Sequence, residues 1–271
     1  MKFTKIAPSI QSVLQNLLKQ YPLVEKIVDR ISQENGSALL VGGAVRDLLL
    51  ESDASTSSAR TGSFYSAHPE EKSKISSREI IKDLDIEIHG LSVEKLQELL
   101  ATFGPVSLVG KSFGVLRLHG LDIDWSLPRK DSSGRHPQVT IDPHMNFADA
   151  FKRRDLTINA MGIDLKTYEL IDPWGGYQDL KAGILRATDA HFFIEDPLRL
   201  FRVMQFISRF QMQPDQSLNE ICSKMSLAGI SVERIESEFD KLFLKSTRPS
   251  LGIRWLKQIE RLKEILPELY A

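Results

Sequence analysis

Residues 38–50 read ALLVGGAVRDLLL, an apolar run followed by two glycines and a second apolar run. The first run is typical of a buried strand, and the second has its apolar residues at helical spacing. Gly42 and Gly43 favour a tight turn, because glycine reaches backbone conformations that other residues avoid. The stretch therefore predicts a strand, a turn and a helix whose first amides can face an anion. A turn that binds nothing would have the same pattern.

A second stretch, KDLDIEIHG at residues 82–90, alternates polar and apolar residues in the manner of a half-buried strand. Side chains two residues apart on a strand point to the same face, so Asp83 and Asp85 present two carboxylates together while Leu84 and Ile86 enter the core. Mg²⁺ prefers oxygen ligands, and a pair of metal ions can assist phosphoryl transfer. A solvent-facing strand edge is the alternative interpretation of two aspartates in this spacing.

The pattern on either side of these stretches predicts an α+β fold. Two short helices precede the first strand, with Pro22 between them. Glycines separate further short strands at residues 106–109, 115–119 and 121–125. Residues 147–161 have helical spacing, and short strands around Ile163 and Leu170 follow. Together these elements predict a mixed sheet with helices on one face.

Beyond Asp189 the strand signals stop. Four amphipathic helices are predicted there, at residues 197–210, 218–227, 232–244 and 253–266. We therefore predict two domains, residues 1–190 with the mixed sheet and residues 191–271, which are all helical. Residues 52–78 are rich in serine and poor in large apolar side chains, which predicts a mobile insertion. Residues 126–137 are predicted to form another loop.

Composition limits the classes of protein that fit this chain. The sequence has 35 basic and 36 acidic residues, so the net charge is −1 and any binding of nucleic acid must depend on a local surface. The single cysteine, Cys222, excludes an intramolecular disulfide and a thiolate zinc cluster, which fits a reducing compartment. No stretch approaches the ~20 apolar residues of a membrane-spanning helix. We expect a cytoplasmic protein without a membrane partner.

Several polar residues are candidates for contacting a phosphate, a metal or a sugar. Arg46 falls in the first turn of the helix after the glycines, where a phosphate would bind. Asp124, on a later strand, either supplies a third catalytic carboxylate or points to solvent. Arg154 suits a phosphate, and Asp155 or Asn159 would then reach a sugar. The alternative for Asp155 is a helix N-cap beside solvated arginines.

The stretch EDPLRLFR at residues 195–202 also carries charges at helical spacing. Asp196, Arg199 and Arg202 are three residues apart, so they can form one polar ridge of an acceptor and two donors. A capping acid and a simple salt bridge would have the same spacing. Residues 241–263 contain seven basic residues and one acid, which suits a surface that follows RNA phosphates or a solvated helix face.

Four blocks occur in order along the chain: LLVGGAVRDLLL with KDLDIEIHG, then KRRDLTINAMGID, EDPLRLFRVMQF and SVERIESEFDKL. Together they resemble the class II tRNA nucleotidyltransferase and bacterial poly(A) polymerase family, from Leu39 to Leu244. The resemblance implies a nucleotidyltransferase head, residues 1–190, and a helical neck for nucleotide selection and RNA contact. It implies template-independent addition of CMP, AMP or both from CTP and ATP to the 3′ end of tRNA, by two-metal phosphoryl transfer with Mg²⁺.

The resemblance also assigns roles to residues. It implies a metal site at Asp83 and Asp85, and nucleotide contacts from the glycine turn and the second and third blocks. The residues concerned are Gly43, Arg46, Arg154, Asp155, Asn159, Asp196 and Arg199. Among them, Arg154 corresponds to a phosphate-binding arginine, and Asp196 and Arg199 to a base-selecting pair. Gly42 of the glycine turn and Arg202 of the polar ridge are nucleotide-binding candidates from their own spacing. Residues 134–137 resemble part of a flexible loop that couples base selection to catalysis.

A carboxylate beside a guanidinium can select bases on physical grounds. Cytosine and adenine both present an amino donor beside a ring-nitrogen acceptor, which the pair matches. Guanine and uracil present the inverse pattern and would leave a buried charge wrongly paired. Such a pair therefore prefers C and A over G and U without a template.

Two departures from the family leave alternatives open. Gln205 stands where many relatives have a further arginine, which removes a positive charge from the triphosphate side. The sequence also ends at Ala271, whereas relatives usually continue into further helical domains. The alternatives are a poly(A) polymerase, a nucleotidyltransferase with a non-RNA acceptor, and a nucleotide-binding module without turnover.

Overall fold

The computed structural model describes residues 3–57, 84–109, 114–131 and 139–269. Asp83, the loop at residues 134–137 and most of the predicted insertion lie outside these ranges. The chain forms two compact units, one from residues 1–150 and 161–173 and the other from residues 151–160 and 174–271. The predicted boundary between residues 190 and 191 falls inside the second unit.

A mixed sheet forms the centre of the first unit. Its strands, in chain order with those of a separate hairpin, are β1 (Phe3–Lys5), β2 (Ser37–Val41), β3 (Leu84–His89), β4 (Val106–Val109), β5 (Val115–Leu118), β6 (Ile123–Ser126), β7 (Arg129–Asp131), β8 (Val139–Ile141), β9 (Gly162–Asp164) and β10 (Glu169–Ile171). Eight of these described strands form one sheet in the order β1-β10-β9-β2-β3-β6-β5-β4. Within this sheet β3 and β6 are parallel, and the other neighbours are antiparallel. The mixed sheet confirms the predicted α+β fold.

The helices of the first unit are α1 (Pro8–Lys19), α2 (Pro22–Gln33), α3 (Gly43–Ser57), α4 (Val93–Ala101) and α5 (Phe147–Lys152), of which α5 ends in the second unit. Proline begins both α1 and α2, where its missing N–H is not needed. The side chains of Leu14, Val24 and Ile27 are fully buried, as the helical spacing predicted. Helix α3 continues to Ser57, which is within the stretch that the sequence predicted as an insertion. The apolar first turns of α3 start a helix that then extends through polar residues.

The second unit is mainly helical. It contains α6 (Gly176–Ala182), β11 (Ile184–Leu185), α7 (Ala190–Glu195), α8 (Leu198–Phe210), β12 (Gln213–Pro214), α9 (Gln216–Lys224), α10 (Val232–Lys245), α11 (Pro249–Gln258) and α12 (Leu262–Ile265). Helix α8 packs against α10 and α11. At Gly252 in α11, a Cβ would lie 2.5 Å from the carbonyl oxygen of Met204, so only glycine allows this close packing. None of the described helices has the length and apolar character needed to cross a bilayer.

Three predicted elements differ from the structure. The helix predicted for residues 147–161 ends at Lys152, because Leu156 is extended and bridges Ala187, after which residues 157–159 form a 3₁₀ turn. The loop predicted for residues 126–137 contains β7, which pairs with β8. The last predicted helix is interrupted between α11 and α12, where Glu260 has a left-handed backbone with φ of 62°. A short parallel ladder of β11 and β12 was not predicted.

Candidate active site

The glycine turn joins β2 to α3 in the first unit. Gly42 has φ of 74°, in the region that favours glycine, and its amide donates to the carbonyl of Met161 at 3.3 Å. Gly43 begins α3, and a Cβ at this position would lie 3.3 Å from Nη2 of Arg46. The turn therefore brings backbone and guanidinium close together, which a larger residue at position 43 would disturb.

Arg46 is held in a fixed place beside this turn. Its side chain is buried, and its Nε donates to Oδ1 of Asp47 at 2.8 Å. Nη2 of Arg46 lies at the same distance from that oxygen, so a single carboxylate oxygen holds the edge of the guanidinium formed by Nε and Nη2. Arg46 thus presents a pre-oriented positive charge at the start of α3.

Asp85 and Asp124 lie side by side on the sheet. Asp85 is exposed between two buried residues of β3, and it is in register with Asp124 of the parallel neighbour β6. Residues in register on adjacent strands share a face and are separated by about 4.8 Å. The pairing of Leu40 with Ile86 places the end of β2, and so the Gly42 turn, beside the start of β3 where Asp85 lies.

The carboxylates of Asp85 and Asp124 supply part of the ligand set that a hard divalent cation needs. Two carboxylates on one face provide oxygen ligands of the kind that Mg²⁺ takes, usually with further oxygens from substrate. Within the described ranges, no group of three or more His, Cys, Asp or Glu side chains is placed to hold a metal ion. The metal role of Asp83, outside those ranges, and of Asp85 stays a prediction.

Arg117 of β5 is a residue that the sequence analysis missed. It is in register with Asp124 on the other side, and its Nε donates to Oδ1 of that aspartate. The hydrogen bond and the negative charge of Asp124 raise the pKa of Arg117. Alternation along β5 places Arg117 on the polar face, but only the strand register identifies its partner.

The second unit builds a buried polar cluster around Asp155. One carboxylate oxygen accepts hydrogen bonds from the Leu156 amide at 2.8 Å and from Nδ2 of Asn159 at 2.9 Å. The other accepts from Nε of Arg202 at 2.7 Å. Burial raises the pKa of Asp155, but the charge of Arg202 and these hydrogen bonds outweigh it and lower the pKa to about 2. The Asp155 carboxylate is therefore ionised at neutral pH and holds the side chains of Asn159 and Arg202 by accepting their hydrogen bonds.

Arg199 and Asp196 make separate contacts. The guanidinium of Arg199 donates from Nη2 to the Arg153 carbonyl at 2.7 Å and from Nη1 to the Phe192 carbonyl. Burial lowers its pKa. Asp196 instead accepts from Nη2 of Arg234 at 3.1 and 3.2 Å. Asp196 is extended and precedes the helix, so the three residues predicted as one polar ridge hydrogen-bond to different partners. The negative charge of Asp196 still helps to raise the pKa of Arg202.

Two further positions complete the second unit's candidates. The guanidinium of Arg154 lies over the ring of Phe151, 5.3 Å from its centroid. Gln205 is buried within α8, and its Nε2 has no hydrogen-bond partner among the described residues. An arginine at position 205 would thus place its charge in a buried environment rather than at the surface.

Each unit holds its own part of the predicted residues. In the first unit the structure brings Asp85 and Asp124 together beside the glycine turn and Arg46. In the second it brings Asp155, Asn159 and Arg202 together, while Asp196 and Arg199 contact other partners. Sequence reasoning missed Arg117 and Arg234. Arg234 had a signal, since it lies in the fourth motif block, whereas Arg117 had only the alternation of β5, which does not identify its partner.

Comparison with known proteins identifies the family. A sequence model of the poly A polymerase head domain matches residues 38–186. The multifunctional CCA protein of Stenotrophomonas maltophilia is 34% identical over 174 residues, 60% of this chain and 42% of that protein. The one from Xanthomonas euvesicatoria pv. vesicatoria is 31% identical over 243 residues, 86% of this chain and 51% of that protein. The chain spans about half the length of the curated relatives it matches.

Solved structures agree with this assignment. The Thermotoga maritima CCA-adding enzyme complexed with tRNA is similar with a TM-score of 0.69 and 26% identity, covering 98% of this chain and 57% of that chain. A CCA-adding enzyme complexed with CTP has a TM-score of 0.69 and 25% identity, covering 98% and 56%. The chain therefore belongs to the family of the poly A polymerase head domain, which confirms the class II tRNA nucleotidyltransferase and bacterial poly(A) polymerase family that its motifs indicated.

Proposed function

We propose that this chain adds CMP and AMP, from CTP and ATP, to the 3′ end of tRNA without a template. The names of the curated relatives, and the tRNA and CTP in the similar structures, support this reaction. The observation that carries the proposal is the register of β3 and β6, which sets Asp85 beside Asp124 next to the glycine turn. Transfer to a tRNA end also fits a cytoplasmic location.

The carboxylates of the first unit would act as metal ligands. Asp83, Asp85 and Asp124 would hold Mg²⁺, with Asp83 placed by the alternation of the sequence. Bound Mg²⁺ would assist attack of the acceptor 3′-hydroxyl on the α-phosphate and stabilise the departing pyrophosphate. The exposure of Asp85 between buried neighbours makes it accessible without disturbing the core.

The glycine turn and Arg46 would bind the triphosphate. Gly43 leaves the first amides of α3 open to a phosphate, and the helix dipole favours negative charge there. Arg46 adds a positive charge whose direction Asp47 fixes. Because the guanidinium is already ordered, little side-chain entropy is lost when the phosphate binds.

Residues of the second unit would recognise the ribose and the base. Arg154 would contact phosphate, and ionised Asp155 with Asn159 would contact the ribose hydroxyls. Asp196 and Arg199 would read the base edge, as the donor and acceptor pattern of C and A requires. Two carbonyl groups hold the Arg199 guanidinium, so its remaining N–H groups keep a defined direction.

The basic stretch at residues 241–263 would contribute to RNA binding. Lys241 pairs with Glu238 at 2.6 Å, and Arg261 is buried and pairs with Glu264 at 3.1 Å, so these two residues have structural roles. The other five basic residues, Lys245, Arg248, Arg254, Lys257 and Lys263, are exposed. These exposed charges are the part of the stretch that could contact RNA phosphates.

The acceptor is tested by incubating the chain with tRNAs that end before, within and after CCA. Each tRNA is given CTP, ATP or both, and the products are sequenced. We expect addition that stops once CCA is complete. Long runs of A would favour a poly(A) polymerase. Transfer to small hydroxyl compounds but to no RNA would favour a different acceptor, and CTP binding without pyrophosphate release would indicate a module without turnover.

A further inference from the structure

A row of polar residues crosses the sheet of the first unit. Asp85, Asp124, Arg117 and Ser107 are in register on the neighbouring strands β3, β6, β5 and β4. Residues in register share a face of the sheet. The opposite face is apolar and buried, with Leu84, Ile86, Leu116, Leu118, Ile123 and Trp125. The row therefore leads along the accessible face from the carboxylates toward the edge strand β4.

A cavity of about 540 Å³ lies along the edge end of this row. Its lining includes Ser107, Arg117, His119 and Asp122. His119 Nε2 and the Ser107 hydroxyl lie 2.6 Å apart, within hydrogen-bond distance. The lining thus combines an arginine, a histidine and a hydroxyl, which together can donate several hydrogen bonds to an anion.

The charges of this cavity oppose an anion as long as the carboxylates are not neutralised. Arg117 pairs with Asp124, and Asp122 adds a second negative charge nearby. An isolated anion would therefore meet a guanidinium already paired and two carboxylates that repel it. A divalent cation at Asp124 would reverse both effects, since it would neutralise that carboxylate and weaken its hold on Arg117.

We propose that Arg117 couples divalent-cation binding at Asp124 to binding of an acceptor-strand phosphodiester in this cavity. The inference rests on the proposed function, because it takes Asp124 as a ligand of the catalytic cation and RNA as the acceptor. Without a cation, Arg117 is the counter-ion of Asp124. With a cation, its N–H groups turn to the phosphodiester, so each ligand strengthens binding of the other.

The size of the coupling follows from the exposure of the pair. The side chains of Arg117 and Asp124 are 47% and 35% exposed. Exposed ion pairs are weak, which corresponds to a change in affinity of about two- to fivefold when one is removed. Replacing Arg117 should strengthen cation binding, because it removes both a competitor for Asp124 and a nearby positive charge.

The first test is a Mn²⁺ titration, followed by electron paramagnetic resonance of the free ion. Arg117→Gln is compared with the unchanged chain and with Arg30→Gln. This control removes a similarly exposed arginine, 52% against 47%, from its pair with Glu34 in the same unit. We expect Arg117→Gln to bind Mn²⁺ about two- to fivefold more tightly, and the control to match the unchanged chain. Equal or weaker binding by Arg117→Gln would overturn the proposal.

The second test measures binding of a short labelled single-stranded RNA with and without Mn²⁺. We expect Mn²⁺ to strengthen RNA binding to the unchanged chain and to Arg30→Gln, and Arg117→Gln to lose most of that gain. If Mn²⁺ strengthens RNA binding to Arg117→Gln as much as to the unchanged chain, the coupling is overturned. If inorganic phosphate at a concentration equal to that of the RNA displaces it, the proposal that the cavity binds a polynucleotide is overturned. Both tests measure binding and need no turnover. Failure of the proposed function would be seen in a different experiment, as absence of nucleotide incorporation by the unchanged chain.

Discussion

The buried pair of Asp155 and Arg202 allows a prediction whose size follows from the structure. The ordinary pKa of Asp155 is 3.8 and its folded pKa is about 2, a difference that corresponds to about 2–3 kcal/mol of stability at neutral pH. Because the folded pKa lies below the unfolded one, this stabilisation is present above about pH 4 and is lost as the pH falls toward 2.

The perturbation is Arg202→Met, which keeps much of the apolar stem and removes the guanidinium. It leaves a buried carboxylate without its cationic partner, which costs about 3–5 kcal/mol. In this variant burial dominates and raises the pKa of Asp155, so protonation relieves the cost as the pH falls. We therefore expect a loss of about 3–5 kcal/mol in the free energy of unfolding at about pH 7 and a smaller loss at about pH 5.

The assay is urea unfolding at the two pH values, followed by tryptophan fluorescence. Arg254→Met is the control, because it makes the same substitution at an exposed position of α11 in the same unit. Adding Asp155→Asn to Arg202→Met should recover part of the stability, since no charge is then buried. A loss no larger than that of the control, or equal at both pH values, would refute the reasoning.

Three further predictions follow from single contacts. Gly252→Ala should lower the free energy of unfolding by about 2 kcal/mol or more, measured by urea unfolding, because the new Cβ would lie 2.5 Å from the Met204 carbonyl oxygen. Ser250→Ala, at an exposed position of the same helix, is the control and should change the free energy little. Arg234→Gln should increase misincorporation of UMP relative to CMP in competition assays, because Asp196 loses its guanidinium partner and keeps only the Leu198 amide among the described hydrogen bonds to its carboxylate; unchanged selectivity would show that Arg234 does not orient this carboxylate. Burial raises the pKa of Cys222 to about 12, so the thiol should react with a thiol reagent only after unfolding, and rapid reaction in the native chain would contradict this.

The elements that depend on local pattern could be predicted from the sequence. The glycines between two apolar runs predicted β2, the turn and α3, and the alternation near Asp85 predicted β3. Both signals are local, since they come from the periodicity of a strand or helix and the conformational freedom of glycine. The alternation of polar and apolar residues also predicted that Asp85 lies on the exposed face of β3.

Contacts between distant residues could not be predicted in this way. Residues 153–156 have helical spacing, but Leu156 is extended because it bridges Ala187. Helical spacing also grouped Asp196 with Arg202, whereas their partners are Arg234 and Asp155, 38 and 47 residues away. The position of Arg117 beside Asp124 depends on strand register, which tertiary packing sets.

The central claim is that Asp85, with Asp83, binds the catalytic metal ions beside the glycine turn. The most direct measurement is single-turnover incorporation of labelled CTP into tRNA lacking CCA by Asp85→Asn. Asp29→Asn is the matched control, because Asp29 is also exposed in the first unit and pairs with Lys166 at 2.7 Å. We expect Asp85→Asn to lose at least about a hundredfold in rate with an unchanged melting temperature, and the control to retain activity. Incorporation by Asp85→Asn at the rate of the control would contradict the account.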